Sequence, residues 1–462
     1  MPPLQLTNLL HRTLPDLSPN GRAILSALAC MNGRPPSLAE LAAWLGFQDR
    51  YQLARALRRE GLPPMETLGG WTRTLYWIIQ SQSTGATLRE LARRERLDPA
   101  VAYRLVRRVT GRRWSELCDD GLAAALLNFR DNCRSRAGIA LTRHRLTDHA
   151  RSPHPARNGL VLLPERSDAR PAARLRGTLD KRVSISGAPF DIALTSSNVA
   201  LVTRHHAAAV DVLELSPPRV AQTINVGPVP SRIVPNAQGD MAYVTGQFAE
   251  AIDIVDVQRG EQIAEVPVAG HPLGAVLSRD GRFLYVATNC DRLVALSLAR
   301  RAVVGDIAIP LGSLQMCRHP SGHRLYASGW RTGLVTEIQI PSLRVLRTFD
   351  VGGIVQEVAV SPDGETLYVA NEAGWLDVIH LAPGTRGARV DLGSAAMGLA
   401  ISADQADIVV GLLFAGQVAI MDRQTLEIRA TLQTGGRPRL MTAHPKGAVL
   451  VANEAGWVDV IR

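Results

Sequence analysis

Residues 350–381 read DVGGIVQEVAVSPDGETLYVANEAGWLDVIHL, and this stretch decides the fold. A glycine pair, Gly352-Gly353, opens it. The apolar run Val358–Val360 follows, then the turn Ser361-Pro362-Asp363-Gly364, then a second run, Thr366–Ala370. Another short turn leads to Leu376–Leu381. Short apolar runs bounded by Gly, Pro, Asn and Asp read as strands joined by tight turns.

The plan recurs on both sides. The turn returns as Arg279-Asp280-Gly281, His319-Pro320-Ser321-Gly322 and His444-Pro445-Lys446-Gly447. The strand after it returns as Met241–Thr245, Phe283–Ala287, Arg324–Ala327 and Val449–Ala452. NEAGWLDVI at 371–379 is nearly copied by NEAGWVDVI at 453–461. Units begin near 182, 225, 267, 308, 350, 391 and 433, which makes seven. One small sheet cannot bury both faces alone, whereas radial stacking buries them and leaves short protected edges. A repeat of roughly 40 residues with about four strands predicts a propeller blade. The reading is a seven-bladed β-propeller over 173–462.

The last unit stops at Arg462 after its third strand. Arg174-Leu175-Arg176-Gly177-Thr178-Leu179 is similar to the fourth strands Val345–Phe349 and Ile428–Leu432. It is expected to supply the missing outer strand and seal the ring without an open edge.

The units resemble the YVTN family of propeller repeats, with its Gly-x-x-Pro turn, SPDG and YVAN, best at 350–381. Unit four departs at Leu311-Gly312-Ser313, which lacks the Pro. Unit six departs at Ser402-Ala403-Asp404-Gln405, which lacks the Gly. The resemblance implies the fold and leaves activity open.

Charge separates the front from this repeat. Residues 1–180 hold 28 Arg against 16 Asp+Glu, and the rest hold 24 Lys+Arg against 26. The only lysines are Lys181 and Lys446. A basic front beside a near-neutral back points to a polyanion partner for the front, against the plainer reading of solvated Arg-rich helix faces.

Two similar helical units fill residues 1–136. SPNGRAILSALACM (18–31) reads as a helix with Ile24, Leu25 and Leu28 on one face. In PSLAELAAWLGFQDRYQLARALRREG, Ser37 and Glu40 form a capping box, Gly46 allows a tight turn and Asp49 caps the next helix. That helix buries Leu53, Ala56 and Leu57. Fifty residues later, TLRELARRERLDPAVAYRLVRRVTG repeats the plan. Thr87 and Glu90 form the box, and Asp98 caps a helix with Pro99 at its first turn. Trp71–Ser83 reads as a connecting helix. Short helix, tight turn and Arg-bearing helix suit the major groove of double-stranded DNA.

LDPAVAYRLVRRVTGRRWSEL (97–117) and LGFQDRYQLARALRREGLPPMETL (45–68) resemble the two helix-turn-helix units of AraC/XylS-type regulators, in reversed order. Arg96 stands where that family's turn usually has Gly. In the family's register, Arg50, Gln52, Arg55, Tyr103 and Arg104 face base edges, and Arg58, Arg59, Arg107, Arg108, Arg112 and Arg113 face phosphates. The alternative role for such a fold is protein interaction.

Residues 137–172, rich in Arg, Pro, His and Ala, read as a flexible basic linker. Five isolated cysteines, at 30, 118, 133, 290 and 317, predict neither a disulfide framework nor a zinc site. The start lacks the apolar core of a signal peptide, and no apolar run approaches a membrane span of about 18 residues. A cytoplasmic protein without a membrane partner is expected.

In the propeller, no GxSxG, HExxH, P-loop or GxGxxG occurs, so no catalytic residue, metal or cofactor is assigned. His319 and His444 hold the place of Ser361 and read as turn caps. Loops entering each innermost strand share a face with those joining the second and third strands. That face carries His206, Glu250, His271, Asp291, Arg292, Arg331, Glu372, Arg437, Arg439 and Glu454, candidates for a small-molecule or protein site. Asn371-Glu372 and Asn453-Glu454 are repeat-equivalent turn residues. The resulting expectation is a DNA-binding transcriptional regulator whose propeller senses a ligand or docks a protein. The alternatives are a propeller enzyme of hydrolase or lyase class, and an interaction scaffold.

Overall fold

The computed structural model describes residues 6, 9–10, 12–14, 17–30, 38–45, 47, 50–95, 97–143, 174–196, 198–310 and 313–462. The chain divides into two compact units, residues 1–158 and 159–462.

The first unit is helical. Its helices are α1 (Pro19–Cys30), α2 (Leu38–Trp44), α3 (Arg50–Arg59), α4 (Met65–Thr84), α5 (Leu88–Arg94), α6 (Pro99–Thr110) and α7 (Trp114–Arg143). Ile24, Leu25 and Leu28 of α1 are buried as their spacing predicts, together with Trp71, Trp77 and Phe129. The Trp71 and Phe129 rings lie 5.7 Å apart. Gly121 breaks the line of α7 with φ of 80°. That helix continues through Arg143, so the first residues of the expected linker 137–172 are helical. The remainder of that linker lies outside the described residues.

The second unit is built from seven four-stranded antiparallel sheets among the described residues. Blades 1 to 6 occupy 189–225, 230–267, 272–308, 313–350, 355–391 and 396–433, each running from the innermost strand outward. The middle strands are buried on both faces: Leu367 through Asn371 are all covered. Side chains from adjacent blades share each core. Between blades 1 and 2, Val199, Leu201 and Val212 meet Ile233, Val244 and Val255. Between blades 7 and 1, Leu450, Ala452 and Val458 meet Ile192, Val202 and Leu213, so the ring is closed. Each Val, Leu or Ile among them contributes about 1.5–3 kcal/mol on full burial.

Blade 7 takes its fourth strand from the front of the unit. The closing strand is Leu179–Ser184, antiparallel to Trp457–Ile461, with Arg182 opposite Asp459 and Ser184 opposite Trp457. This corrects the expectation that 174–179 closes the ring. Residues 174–177 instead run along the seam of blades 6 and 7. Leu175 is buried there among Val418, Ile420, Val449 and Val451. Arg174 pairs with Asp407 at 3.1 Å and with Asp422. Leu175 is the large apolar group of that stretch, and with it buried in the seam the pairing falls on Leu179–Ser184. Thr178 then exchanges backbone hydrogen bonds with Arg462 at 2.8 and 2.9 Å.

The repeated turns form as read. The Ser361 hydroxyl donates to Asp363 at 2.5 Å and accepts from the Thr366 amide at 2.9 Å. Unit six keeps this turn without glycine: Ser402 and Asp404 repeat the contact, and Gln405 takes the left-handed φ of 62°. His319 and His444 accept from the amides of Ser321 and Lys446 at 3.1 and 3.0 Å, the turn-capping role expected of them. Asn371 and Asn453 accept from the Ile354 and Arg437 amides at 2.9 and 2.8 Å, pinning each incoming loop.

Candidate functional site

In the helical unit, the second short-helix pair is set by its caps. The Thr87 hydroxyl accepts from the Glu90 amide at 3.3 Å, and Glu90 accepts from the Thr87 amide at 2.9 Å. Asp98 accepts from the Ala100 amide at 2.7 Å, with Pro99 opening α6. Gly111 ends α6 in the left-handed region, φ 74°. Ser37, Gly46, Asp49 and Arg96 lie outside the described residues.

Both second helices bury one stripe and expose another. Helix α3 buries Leu53, Ala56 and Leu57, and α6 buries Ala102, Val106 and Val109. Arg50, Arg55, Arg58, Arg59, Tyr103, Arg104, Arg107, Arg108 and Arg113 are exposed, and Gln52 and Arg112 are half-buried. Arg50 donates to the Tyr51 hydroxyl at 2.9 Å. Arg108 pairs with Glu66 at 3.0 Å, and Arg112 with Glu116 and Asp120. Such exposed pairs contribute about 0–1 kcal/mol and yield to a stronger anion.

One network here escaped the sequence reading. Glu95, at the end of α5, accepts from Arg73 at 2.8 and 3.0 Å and from the Trp77 indole at 2.8 Å. It fastens the turn between α5 and α6 to the connecting helix α4. Helices α4 and α6 also approach closely at Gly70, where a Cβ would meet Val109 at 2.7 Å. A lone acid before a turn carries no local signal of a partner 22 residues earlier.

On the propeller, the ten loop candidates fall into local groups. Arg439 pairs with Glu454 and lies over the Phe190 ring, 5.4 Å from its centroid. His206 lies beside them: desolvation and Arg439 hold its pKa down against the pull of Glu454. His205 stacks on Phe190 at 4.7 Å, with Nδ1 3.2 Å from the Pro230 carbonyl. Desolvation and the neighbouring His206 push its pKa down to about 3. Glu250 and the fully buried His271 approach to 3.8 Å between blades 2 and 3. Glu372 accepts from Gln356 at 2.6 Å. Arg292 pairs with Asp306, Arg331 stacks on Trp330 at 5.0 Å, Arg437 is exposed and Asp291 is half-buried with φ of 65°.

The channel holds a second charged group that the sequence reading passed over. Each innermost strand shifts register between its first and fourth residues, as between Pro230 and Ile233. The third residue of this bulge is Asp191, Arg232 and Glu357 in blades 1, 2 and 5. Arg232 reaches Glu357 of blade 5 at 3.3 Å, across the channel, and Asp191 of the neighbouring blade 1 at 3.7 Å. Burial pushes the Glu357 carboxyl up to about 7 against the pull of Arg232. The available signal was a charge at the third place of an otherwise apolar innermost strand.

Among the described residues, no group of three or more His, Cys, Asp or Glu could hold a metal ion. No described helix is long and apolar enough to cross a membrane. Cys118, Cys133, Cys290 and Cys317 form no disulfide among the described residues.

A family model described as the cytochrome D1 heme domain matches residues 338–455. The seven-bladed beta-propeller protein Rv1057 of Mycobacterium tuberculosis is 26% identical over 333 residues, covering 61% of this chain and 84% of that protein. Antigen Lp49 of Leptospira interrogans is 23% identical over 188 residues, and the chain spans 41% of its length. Among solved structures, hydrazine synthase of Kuenenia stuttgartiensis superposes with a TM-score of 0.56 at 21% identity, over 63% of this chain and 99% of that one. These likenesses carry the propeller fold. A heme does not fit the residues present. The Arg232–Glu357 pair joins blades 2 and 5 across the channel, and Phe190 of blade 1 packs on Met397 and Leu413 of blade 6. His205 and His271 hold their rings against backbone carbonyls at 3.2 Å.

Proposed function

We propose that the helical unit binds double-stranded DNA through the major groove, and that the propeller serves this transcriptional regulator as a ligand sensor or protein dock. One observation carries the reading. The pairs α2/α3 and α5/α6 flank the connecting helix α4, and both second helices turn arginines outward from a buried stripe. A helix of this kind reads bases with one set of side chains and neutralises phosphates with another.

The test is a salt series of DNA binding by the full chain and its variants. Arg104→Ala is expected to lose about 1–3 kcal/mol and relax sequence preference. Arg59→Ala is expected to weaken all sequences alike and to reduce the salt slope by about 1. A full chain that ignores DNA even at low salt overturns the reading.

A second reading makes the propeller the working part, as an enzyme or scaffold with the helical unit as appendage. The match of residues 338–455 to the cytochrome D1 heme domain favours a working propeller, here without the heme that domain is named for. Stoichiometric metal or chromophore in purified protein supports this alternative, and a clean absorption and metal analysis counts against its redox form.

A further inference from the structure

The bulge of the innermost strands has one backbone pose in several blades. The amides of Asp191, Arg232 and Gln315 donate to the hydroxyls of Thr203, Thr245 and Ser328 at 2.9, 2.8 and 2.9 Å. From this pose the Arg232 side chain crosses to Glu357 and lies beside Asp191. Gln315 leaves blade 4 from the same pose and is 4% exposed. Its Oε1 has no hydrogen-bond partner among the described residues. In blade 5, Gln356 is 5% exposed and gives its amide to Glu372, and its Oε1 also lacks a donor.

The girdle therefore offers two carboxylates and two orphaned amide oxygens against one guanidinium. Both orphaned atoms are acceptors, and Gln356 adjoins the Glu357 carboxyl along the same strand. A buried acceptor without a donor costs about 1–3 kcal/mol. A suitable ligand brings N–H donors and positive charge together, and a primary ammonium has three donors on a compact charge. The Arg232 side chain is 21% exposed, so solvent reaches this level of the channel.

We propose that the channel girdle binds a small primary-ammonium ligand, held by Glu357 and the amide oxygens of Gln315 and Gln356. This deepens the ligand-sensing half of the function above and rests on it. DNA contact is untouched by the test, so the two can fail separately.

The experiment is thermal melting of the full chain, without DNA and at constant ionic strength, with methylammonium, tetramethylammonium or potassium chloride. Methylammonium is expected to raise Tm saturably, and the other two are not. Gln315→Leu and Gln356→Leu are each expected to raise the half-saturating concentration on the order of tenfold, the loss of one good hydrogen bond. The proposal is overturned by no saturable rise, by an equal rise with tetramethylammonium or potassium, or by an unchanged response in both variants. Should either variant fail to fold, the contrast between methylammonium and tetramethylammonium in the unaltered chain decides.

Discussion

Arg182 lies over the indole of Trp457, its guanidinium carbon 4.3 Å from the ring centroid, and donates to Asp459 at 2.7 Å. Arg389 repeats the pose in blade 5, 4.2 Å over Trp375 and 2.8 Å from Asp377. Both also donate to a loop carbonyl, Thr434 for one and Val351 for the other. The strand that closes the ring thus carries the same clasp as an ordinary fourth strand, although its arginine comes from the opposite end of the unit.

Arg182→Ala and Arg389→Ala are expected to cost similar amounts, about 1–2 kcal/mol each, from a lost cation–π contact and charged hydrogen bonds. Deleting 174–184 removes a whole strand and the Leu175 anchor, and is expected to lower Tm far more than either point change. Thermal melts of the three variants decide this. A deletion that melts like the unaltered chain sinks the closure by Leu179–Ser184.

Hydroxyls staple neighbouring blades. Thr245 accepts from the Arg232 amide of its own blade and donates to the Leu273 carbonyl of the next at 2.9 Å. Thr245→Val keeps the shape but leaves that buried amide unpaired, so it is expected to destabilise by about 1–3 kcal/mol. Urea unfolding measures it, and a change within error removes the staple from the account.

Asp253 is fully buried, accepts from the Gly227 amide at 2.8 Å and from Gln262 at 2.6 Å, and faces no cation in those bonds. Burial pushes its pKa up to about 7. The folded state therefore holds this proton more tightly than the unfolded chain, whose Asp titrates near about 4. Its contribution is present in full below about pH 4 and is lost as pH rises through about 7. Asp253→Asn is expected to flatten that limb of the stability–pH curve. A variant with the same fall between pH 5 and 8 refutes the assignment.

His205 acts in the opposite sense. Its folded pKa of about 3 lies below that of an unfolded histidine, so the folded state favours the neutral ring. Stability from this group is complete above about pH 6.5 and falls as pH drops toward 3. His205→Phe preserves the stack on Phe190 and is expected to soften acid unfolding over that window. Chemical denaturation at pH 4 and pH 7 tests the difference.

Glu95→Gln keeps an acceptor for the Trp77 indole but loses the ion pair with Arg73. The pair is mostly covered, and its loss is expected to cost about 2 kcal/mol, between the exposed and fully buried cases. Helical circular dichroism followed against denaturant reads this out. An unchanged midpoint makes the network incidental.

The loops, turns and caps were legible because their causes are local. Ser361 reaches an acceptor two residues on, Thr87 one three residues on, and the repeat copies each turn down the chain. Leu53, Ala56 and Leu57 declared their face by helical spacing alone. The pairings of the loop candidates were not legible: Glu250 with His271 and Arg439 with Glu454 join residues far apart in the chain.

The sequence by itself determined seven blades, the turn chemistry between their strands and the capped helix pair at Thr87–Thr110, since these depend on residues a few places apart. Only the tertiary structure decided which strand seals the ring and which charges meet in the channel. Leu175 packs in a seam between blades 6 and 7, and the chain pairs as the closing strand only beyond it, at Leu179–Ser184. Arg232 could meet Glu357 only because the register shifts in blades 2 and 5 and the curvature of the ring bring the third residues of these two innermost strands together.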